Sequence, residues 1–318
     1  MAIYLNIRKG AKRMNKIDIA KGALKASRVS LGCRRIWQLS VKEVSALINT
    51  ALEEGIDYFD HADKYGNGKS EEIFAQAIGI NPSIREKIIL QSKCGIRQDY
   101  YDFSKEHILN SVDGSLKRLK TDYLDVLLLH RPDALVEPEE VAEAFNILQS
   151  SGKVRYFGVS NHNPMQIELL NKYLSQKIII NQLQLSITNT QMVDAGLNVN
   201  MQIDRSINRD GSILDYCRLN DITVQAWSPF QYGFFEGVFL DNEKFPELNS
   251  KLDEIAALKG VPKAAVAVAW ISRHPARMQT IVGAKNPSHL RDICRESDIE
   301  LTRQEWYDIY LAAGNKLP

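Results

Sequence analysis

Residues 58–78 read "YFDHADKYGNGKSEEIFAQAI", and the change of rhythm inside this stretch sets the architecture. Its first residues are aromatic and end on a carboxylate, as in a short strand running to the edge of a sheet. Beyond the turn, Ile73, Phe74, Ala77 and Ile78 recur at three and four, which predicts a helix capped by Ser70 with Glu71 and Glu72 in its first turn. The turn itself, "GNGKS", imitates the end of a phosphate-binding P-loop. That loop needs a glycine six residues before the lysine so that the backbone can wrap the phosphates, and Asp63 stands there instead. The stretch reads as strand, turn and helix, not as a nucleotide triphosphatase loop.

The same unit repeats along the chain. Short runs rich in β-branched residues begin at Arg28 ("RVSLGC"), Tyr58, Lys87 ("KIILQSK"), Tyr123 ("YLDVLLLH"), Val154 ("VRYFGVS"), Ile178 ("IIINQLQ"), Ile222 ("ITVQAWS") and Met278 ("MQTIVGA"). Stretches of helical spacing lie between them. "SVKE" from Ser40 and "TRQE" from Thr302 are capping boxes, and Ser104 precedes a helix whose Ile108, Val112, Leu116 and Leu119 share one face. Eight strand–helix units, in a chain somewhat longer than the ~250 residues typical of the fold, predict a (β/α)8 TIM barrel. In this α/β architecture, eight parallel strands are ringed by helices and long loops crown the C-terminal face. A doubly wound sheet would carry G-x-G-x-x-G after its first strand, and none is present. Residues 186–212 are polar and poorly periodic and read as a long βα loop with room for one helical turn. Residues 1–15 read as a flexible extension ahead of a single barrel domain over 16–318.

Composition narrows the functional classes. The 318 residues are 44% hydrophobic and 25% charged, with a formal net charge of +1. The signs are interspersed, so neither a nucleic-acid groove nor an anionic membrane surface is expected as partner. No apolar run approaches the roughly 20 residues of a membrane span, and no secretory leader is recognisable. Cys33, Cys94, Cys217 and Cys294 form no C-x-x-C pair, so the expectation is reduced thiols in the cytoplasm, without a metal site. A small molecule is the expected partner.

In a barrel, chemistry sits at the carboxyl ends of strands. The second strand ends at Asp60 and runs on to Tyr65, the third ends at Lys93 and the fourth at His130. A carboxylate, a phenol, an ammonium and an imidazole facing one mouth suit proton delivery to a carbonyl oxygen. A phenol of pKa about 10 is a poor acid at neutral pH, but a neighbouring ammonium lowers that value. Lys93 can do this if Asp60 holds it, and His130 can orient the substrate oxygen. Taken singly, each residue has a plainer role as loop cap, half-buried aromatic, solvated strand end or turn residue. Together, on three successive strands, they are a candidate catalytic set.

Over nearly the whole chain from Ser27, the sequence resembles the aldo-keto reductase family, and it looks most like the bacterial, substrate-unassigned branch. The resemblance rests on "GIDYFDHADKYGNGKSEEIF", "LQSKCG", "DYLDVLLLHRP", "GKVRYFGVSN", "NQLQLS" and "AWSPF", in family order and spacing. It implies a metal-free barrel that reduces aldehydes or ketones with a nicotinamide cofactor, using Asp60, Tyr65, Lys93 and His130 as the tetrad and Tyr65 as general acid. It further implies that Ser160, Asn161 and Gln184 bind the nicotinamide carboxamide, that Trp227 stacks on the ring, and that Ser228 and Phe230 continue along the cofactor. The loop from Gly283 matches the adenosine-phosphate loop but departs from its pattern. Ala284 replaces a Ser/Thr, Asn286 stands at the usual basic position, His289 replaces an arginine, and Ile293 replaces an asparagine after Asp292. Lys285 and Arg291 remain to supply charge, so NADPH is expected and NADH is the competitor. Trp37 and "FQYGFF" from Phe230 are equally readable as pocket walls or as loop packing. The alternative to a reductase of small carbonyl or alcohol substrates is a cofactor-binding sensor or regulatory subunit, as relatives of potassium-channel β-subunits are. Physiological substrate, reaction direction and oligomeric state are left open by the sequence.

Overall fold

The computed structural model describes residues 14–318. Strands β1 (Lys16–Ile19) and β2 (Leu24–Ser27) form an antiparallel hairpin. The eight expected strands follow as β3 (Val29–Gly32), β4 (Tyr58–Asp60), β5 (Ile89–Cys94), β6 (Leu124–Leu129), β7 (Val154–Ser160), β8 (Ile178–Gln184), β9 (Thr223–Trp227) and β12 (Gln279–Val282). A second hairpin, β10 (Gln231–Tyr232) and β11 (Gly237–Val238), is inserted after β9. The eight are parallel and close as β12-β3-β4-β5-β6-β7-β8-β9, sealed where Thr280 pairs with Val29 on one side and Ala226 on the other. Closure satisfies every strand edge, and buries runs such as "LDVLLL" completely. Gly158 in β7 is required by that packing, since a Cβ there would lie 2.6 Å from Leu128 Cδ2 and 2.7 Å from the Ile180 carbonyl oxygen.

The helices are α1 (Val41–Glu53), α2 (Lys69–Ile78), α3 (Pro82–Arg85), α4 (Lys105–Leu119), α5 (Pro138–Ser150), α6 (Pro164–Asn171), α7 (Gln191–Leu197), α8 (Ile213–Leu219), α9 (Pro246–Lys259), α10 (Lys263–Ser272), α11 (Pro287–Cys294) and α12 (Arg303–Ala312). Both predicted capping boxes close, at Ser40–Glu43 and Thr302–Glu305, and Ser104 accepts from the His107 N–H. The cap expected of Ser70 does not form. The helix begins two residues earlier, behind Gly68 at φ +86, and the Ser70 hydroxyl is buried without a partner. Glycine is needed there because few other residues adopt that backbone. The segment 186–212 also holds more order than one turn, because α7 is anchored by Thr190 and Asp194.

The N-terminal end of the barrel is plugged by the β1–β2 hairpin. Ile19 and Ala26 pack on Tyr58, Ile89, Val126 and Ile180, while Ala20 N–H donates to Thr223 Oγ1 at 3.0 Å. The expected extension over 1–15 lies, up to residue 13, outside the described residues. Met14 is buried, and its N–H donates to the Glu54 carbonyl at 3.2 Å. No single helix among the described residues is long and apolar enough to cross a membrane.

Candidate active site

Plugging one end leaves the other as the mouth, where the strand ends place Asp60, Lys93 and His130. Lys93 Nζ is fully buried and donates to Asp60 Oδ1 at 2.6 Å, to the His61 carbonyl at 2.8 Å and to the Tyr65 hydroxyl at 3.1 Å. An ammonium has three donors, and here each has an acceptor. Burial alone would drive Lys93 towards neutrality. Asp60, then Tyr65, reverse this and hold its pKa above the ordinary value, so the lysine stays charged.

The balance at Tyr65 differs from the sequence expectation. Burial of the phenol raises its pKa, and the lowering by Lys93 is not enough to offset it. The ammonium moderates the cost of a phenolate without making one at neutral pH, so Tyr65 rests with its proton on. His130 stands edge-on to the Tyr65 ring, centroids 5.8 Å apart. Burial first, then Lys93, Arg131 and Arg34, push its pKa well below the usual histidine value, so the imidazole is neutral. Its Nδ1 is buried with no hydrogen-bond partner.

Below these groups lies a layer the sequence reading missed. Gln91 and Gln182 donate to Asp60 Oδ1 at 2.5 and 3.0 Å, and both also reach Gln225 Oε1 at 3.0 Å. Gln225 donates to Gln279 at 2.7 Å, and Gln279 to the Ser27 carbonyl at 2.7 Å. Barrel interiors are usually filled by branched apolar side chains. Here amides from four strands form a continuous buried network that ends on the Asp60 carboxylate. Its trace in the sequence is a glutamine inside each of four otherwise apolar runs.

The remaining expected site residues divide into groups. Ser160 donates to the Gln182 carbonyl at 2.9 Å, Asn161 Nδ2 donates to Ser160 Oγ at 2.7 Å, and Trp227 Nε1 donates to Asn161 Oδ1 at 3.2 Å. These three thus form one linked patch across β7 and β9. Gln184 is engaged elsewhere, donating to the Gly233 carbonyl at 2.8 Å, and Ser228 turns to Gln231 at 3.2 Å. Phe230 is buried and its ring lies 6.3 Å from that of His289, joining the loops after β9 and β12. In the second loop, Asn286 is the N-cap of α11, accepting from the His289 N–H at 2.8 Å. Arg291, expected to supply charge, is drawn to Glu53 at 3.1 Å and Glu54 at 3.6 Å instead. Ile293 is buried and Asp292 lies on the second turn of α11. Space around Gly283 is open, Lys285 is exposed, and Lys285 makes no ion pair among the described residues.

A nicotinamide dinucleotide fits this donor set. The flat Trp227 ring and the amide of Asn161 suit one end of the cofactor's chemistry, while open backbone at Gly283 and the cation of Lys285 suit the other. Both groups of aromatics pack on neighbours at the mouth. Phe235 stacks on Trp227 with centroids 5.7 Å apart, and Trp37 covers Gly66, where a Cβ would lie 2.6 Å from its Cγ. Among the described residues no three His, Cys, Asp or Glu side chains group so as to hold a metal.

Comparison with known proteins agrees with this geometry. The family model described as Aldo/keto reductase family matches residues 19–311. The chain is 38% identical to the uncharacterized oxidoreductase YcsN of Bacillus subtilis, over 96% of this chain and 100% of that one. It is 33% identical to the 6-dehydroglucose reductase of Agrobacterium fabrum, over 92% and 96%. Its backbone is similar to that of the thermostable aldo-keto reductase Tm1743, at a TM-score of 0.73 and 24% identity over 94% of this chain and 100% of that one. The chain belongs to the aldo/keto reductase family, and is an oxidoreductase built on its eight-stranded barrel.

Proposed function

We propose that the protein reduces aldehydes or ketones to alcohols with NADPH, through Tyr65, Lys93, Asp60 and His130. The observation that carries this reading is the fully buried Lys93, bonded at once to a carboxylate and to a phenol that keeps its proton. The bound cofactor supplies the hydride that adds to the carbonyl carbon. The chain's own groups supply the proton and its management. Tyr65 O–H donates to the carbonyl oxygen as negative charge grows there, and the adjacent ammonium stabilises the phenolate left behind. Asp60, held by two amide donors, keeps the ammonium in place. Neutral His130 offers a hydrogen bond to the same oxygen and thereby orients it. In oxidation of an alcohol the proton runs the other way.

Support for NADPH over NADH comes from Lys285 beside the N-terminus of α11, and it is weakened by the engagement of Arg291 with Glu53 and Glu54. A modest preference follows, to be read from fluorescence titrations of both cofactors. The catalytic assignment is tested with a panel of aldehydes and ketones. Tyr65→Phe should bind cofactor as wild type does and lose about 10²–10⁴-fold in kcat. Undiminished turnover in that variant removes Tyr65 as the acid. Tight cofactor binding with no turnover in wild type would favour a sensor instead.

A further inference from the structure

Two guanidiniums stand at the mouth without an acidic partner. Arg34 lies two residues beyond β3, and Arg131 directly follows His130. Both rest on the aromatic loop. Arg34 Cζ is 4.1 Å from the Phe235 centroid, and Arg131 Cζ is 5.7 Å from that of Trp227 and 5.9 Å from that of Phe234. Among the described residues neither makes an ion pair, whereas Arg28, Arg85, Arg118 and Arg155 each meet a carboxylate. The ionisable neighbours acting most on Arg131 are Tyr101, Tyr65 and Arg34, and those on Arg34 are Tyr65 and Arg35, with no carboxylate in either set.

This arrangement is unfavourable by itself. Two cations close enough to act on each other, on His130 and on Tyr65 raise the positive potential where a carbonyl oxygen must bind. Cation–π contact with Phe235, Trp227 and Phe234 holds the guanidiniums over the rings but neutralises nothing. An anion placed between them would relieve the repulsion and accept charge-assisted hydrogen bonds in the planar geometry that arginine offers. The phosphate end of a dinucleotide is a poor candidate for Arg131, because β6 is four strands round the barrel from β12 and its loop.

We propose that Arg34 and Arg131 form the anion-binding end of the substrate pocket, so that favoured substrates are carbonyl compounds bearing a carboxylate or phosphate. This rests on the reductase reading above and specifies its substrate. The carbonyl oxygen meets Tyr65 and His130 while the anionic group meets the guanidiniums, so the two ends of the substrate are held by different residues.

The test compares matched pairs with NADPH: succinic semialdehyde against butanal for a carboxylate, glycolaldehyde phosphate against glycolaldehyde for a phosphate. The charged member of at least one pair should have the higher kcat/KM by about tenfold or more, as roughly 1.4 kcal/mol of added binding provides. Whichever pair shows it identifies the anion. In Arg34→Gln and in Arg131→Gln that ratio should fall towards one, and it should fall in wild type as salt is raised. A wild-type ratio near one in both pairs overturns the proposal. A ratio that survives both substitutions while NADPH binding weakens also overturns it, since the guanidiniums would then hold the cofactor. If no carbonyl is turned over, the reductase reading fails separately. Anion binding is then measured directly as quenching of tryptophan fluorescence by succinate and inorganic phosphate, expected in wild type and weakened in Arg131→Gln. Absence of quenching in wild type refutes the site.

Discussion

Two buried ion pairs, one at the mouth and one near the plugged end, look alike by distance and differ in everything else. Lys93 meets Asp60 at 2.6 Å, and Arg85 meets Asp125 at 2.7 Å, with all four side chains nearly inaccessible. Around Arg85 all three guanidinium nitrogens donate: to Thr121, to the carbonyls of Ile88 and Tyr123, and to Asp125. Asp125 also takes the Leu90 N–H and Arg155, and the Tyr123 ring lies between the two guanidiniums' reach, 3.7 Å from Arg85 Cζ and 4.0 Å from Arg155 Cζ. Around Lys93 the chain ends instead on a phenol and on polar atoms without partners, His130 Nδ1 and both nitrogens of His61. A closed network can only hold the fold together. An open one has somewhere to send a proton. Burial of an ion pair does not by itself mark a catalytic site, and unsatisfied neighbours are the better sign.

Matched substitutions break the two apart. Lys93→Met leaves Asp60 buried without a cation and should cost about 3–5 kcal/mol of stability in denaturant titration, whereas in Arg85→Met Asp125 keeps Arg155 and the Leu90 N–H, so the loss should be smaller. Only Lys93→Met should also lower kcat for a carbonyl substrate, by about 10²-fold or more, because only there does the cation touch the proton donor. If folded Arg85→Met protein were equally impaired in turnover, the distinction between the two networks would be wrong.

Acid sharpens the same contrast. Burial lowers the pKa of His61 to about 3 and of His162 and His274 to about 4, while Asp63, buried beside Glu71, is raised to about 7. For the histidines, the unfolded chain binds more protons between pH 6.5 and the folded values. Stability therefore falls as pH drops through that window. For Asp63 the folded state binds more protons between its ordinary carboxyl range and pH 7, so its contribution rises on acidification. His107 and His130 are lowered as well, and Glu296 is raised like Asp63, so the lowered histidines outnumber the raised carboxyls; the unfolding free energy from urea titrations should decline from pH 7 to pH 4.5, by on the order of a few kcal/mol. Asp63→Asn removes one opposing group and should steepen the decline. An unfolding free energy independent of pH would show that these burials are not as described.

How much of this was legible in the sequence depended on whether the signal was local. The eight barrel strands stand out because each is a β-branched run between helical segments, and closure then follows from their number. The β1–β2 hairpin was not legible: its strands are four residues each, "KIDI" and "LKAS", and its turn places Ala20 and Lys21 at positive φ without a turn signature. That Asp60, Lys93 and His130 lie at one mouth, with Tyr65 bonded to Lys93, was legible because strand ends share one face of a barrel. Arg85 and Asp125 are 40 residues apart, and nothing local couples them. The glutamine layer was hidden for the opposite reason, since a single polar residue inside an apolar run reads as an interruption and gains meaning only when four strands bring their glutamines together. Gln182→Leu tests its role. One of three donors to Asp60 Oδ1 is lost, so a cost of about 1–3 kcal/mol in stability and a several-fold lower kcat are expected. If stability falls and kcat does not, the layer is a core device without influence on the tetrad.

The smallest expected effect concerns two serines that look the same in the sequence, each just ahead of a helix with a glutamate close behind. At Ser40 the hydroxyl accepts the Glu43 N–H at 3.3 Å while the Glu43 carboxylate accepts the Ser40 N–H at 2.8 Å, so two orphan donors of the helix end are satisfied. At Ser70 the corresponding glutamates turn away. Glu71 is fully buried, bound to Ser92 at 2.6 Å and to Arg118 at 2.7 Å, and Gly68 has taken over the start of the helix. The Ser70 hydroxyl is left buried with no partner. Ser40→Ala should therefore cost about 1 kcal/mol. Ser70→Ala should be neutral within about 0.5 kcal/mol or slightly stabilising, because it removes a desolvated hydroxyl and breaks no bond. A loss at Ser70 as large as that at Ser40 would mean that its hydroxyl has a partner when the protein is in solution.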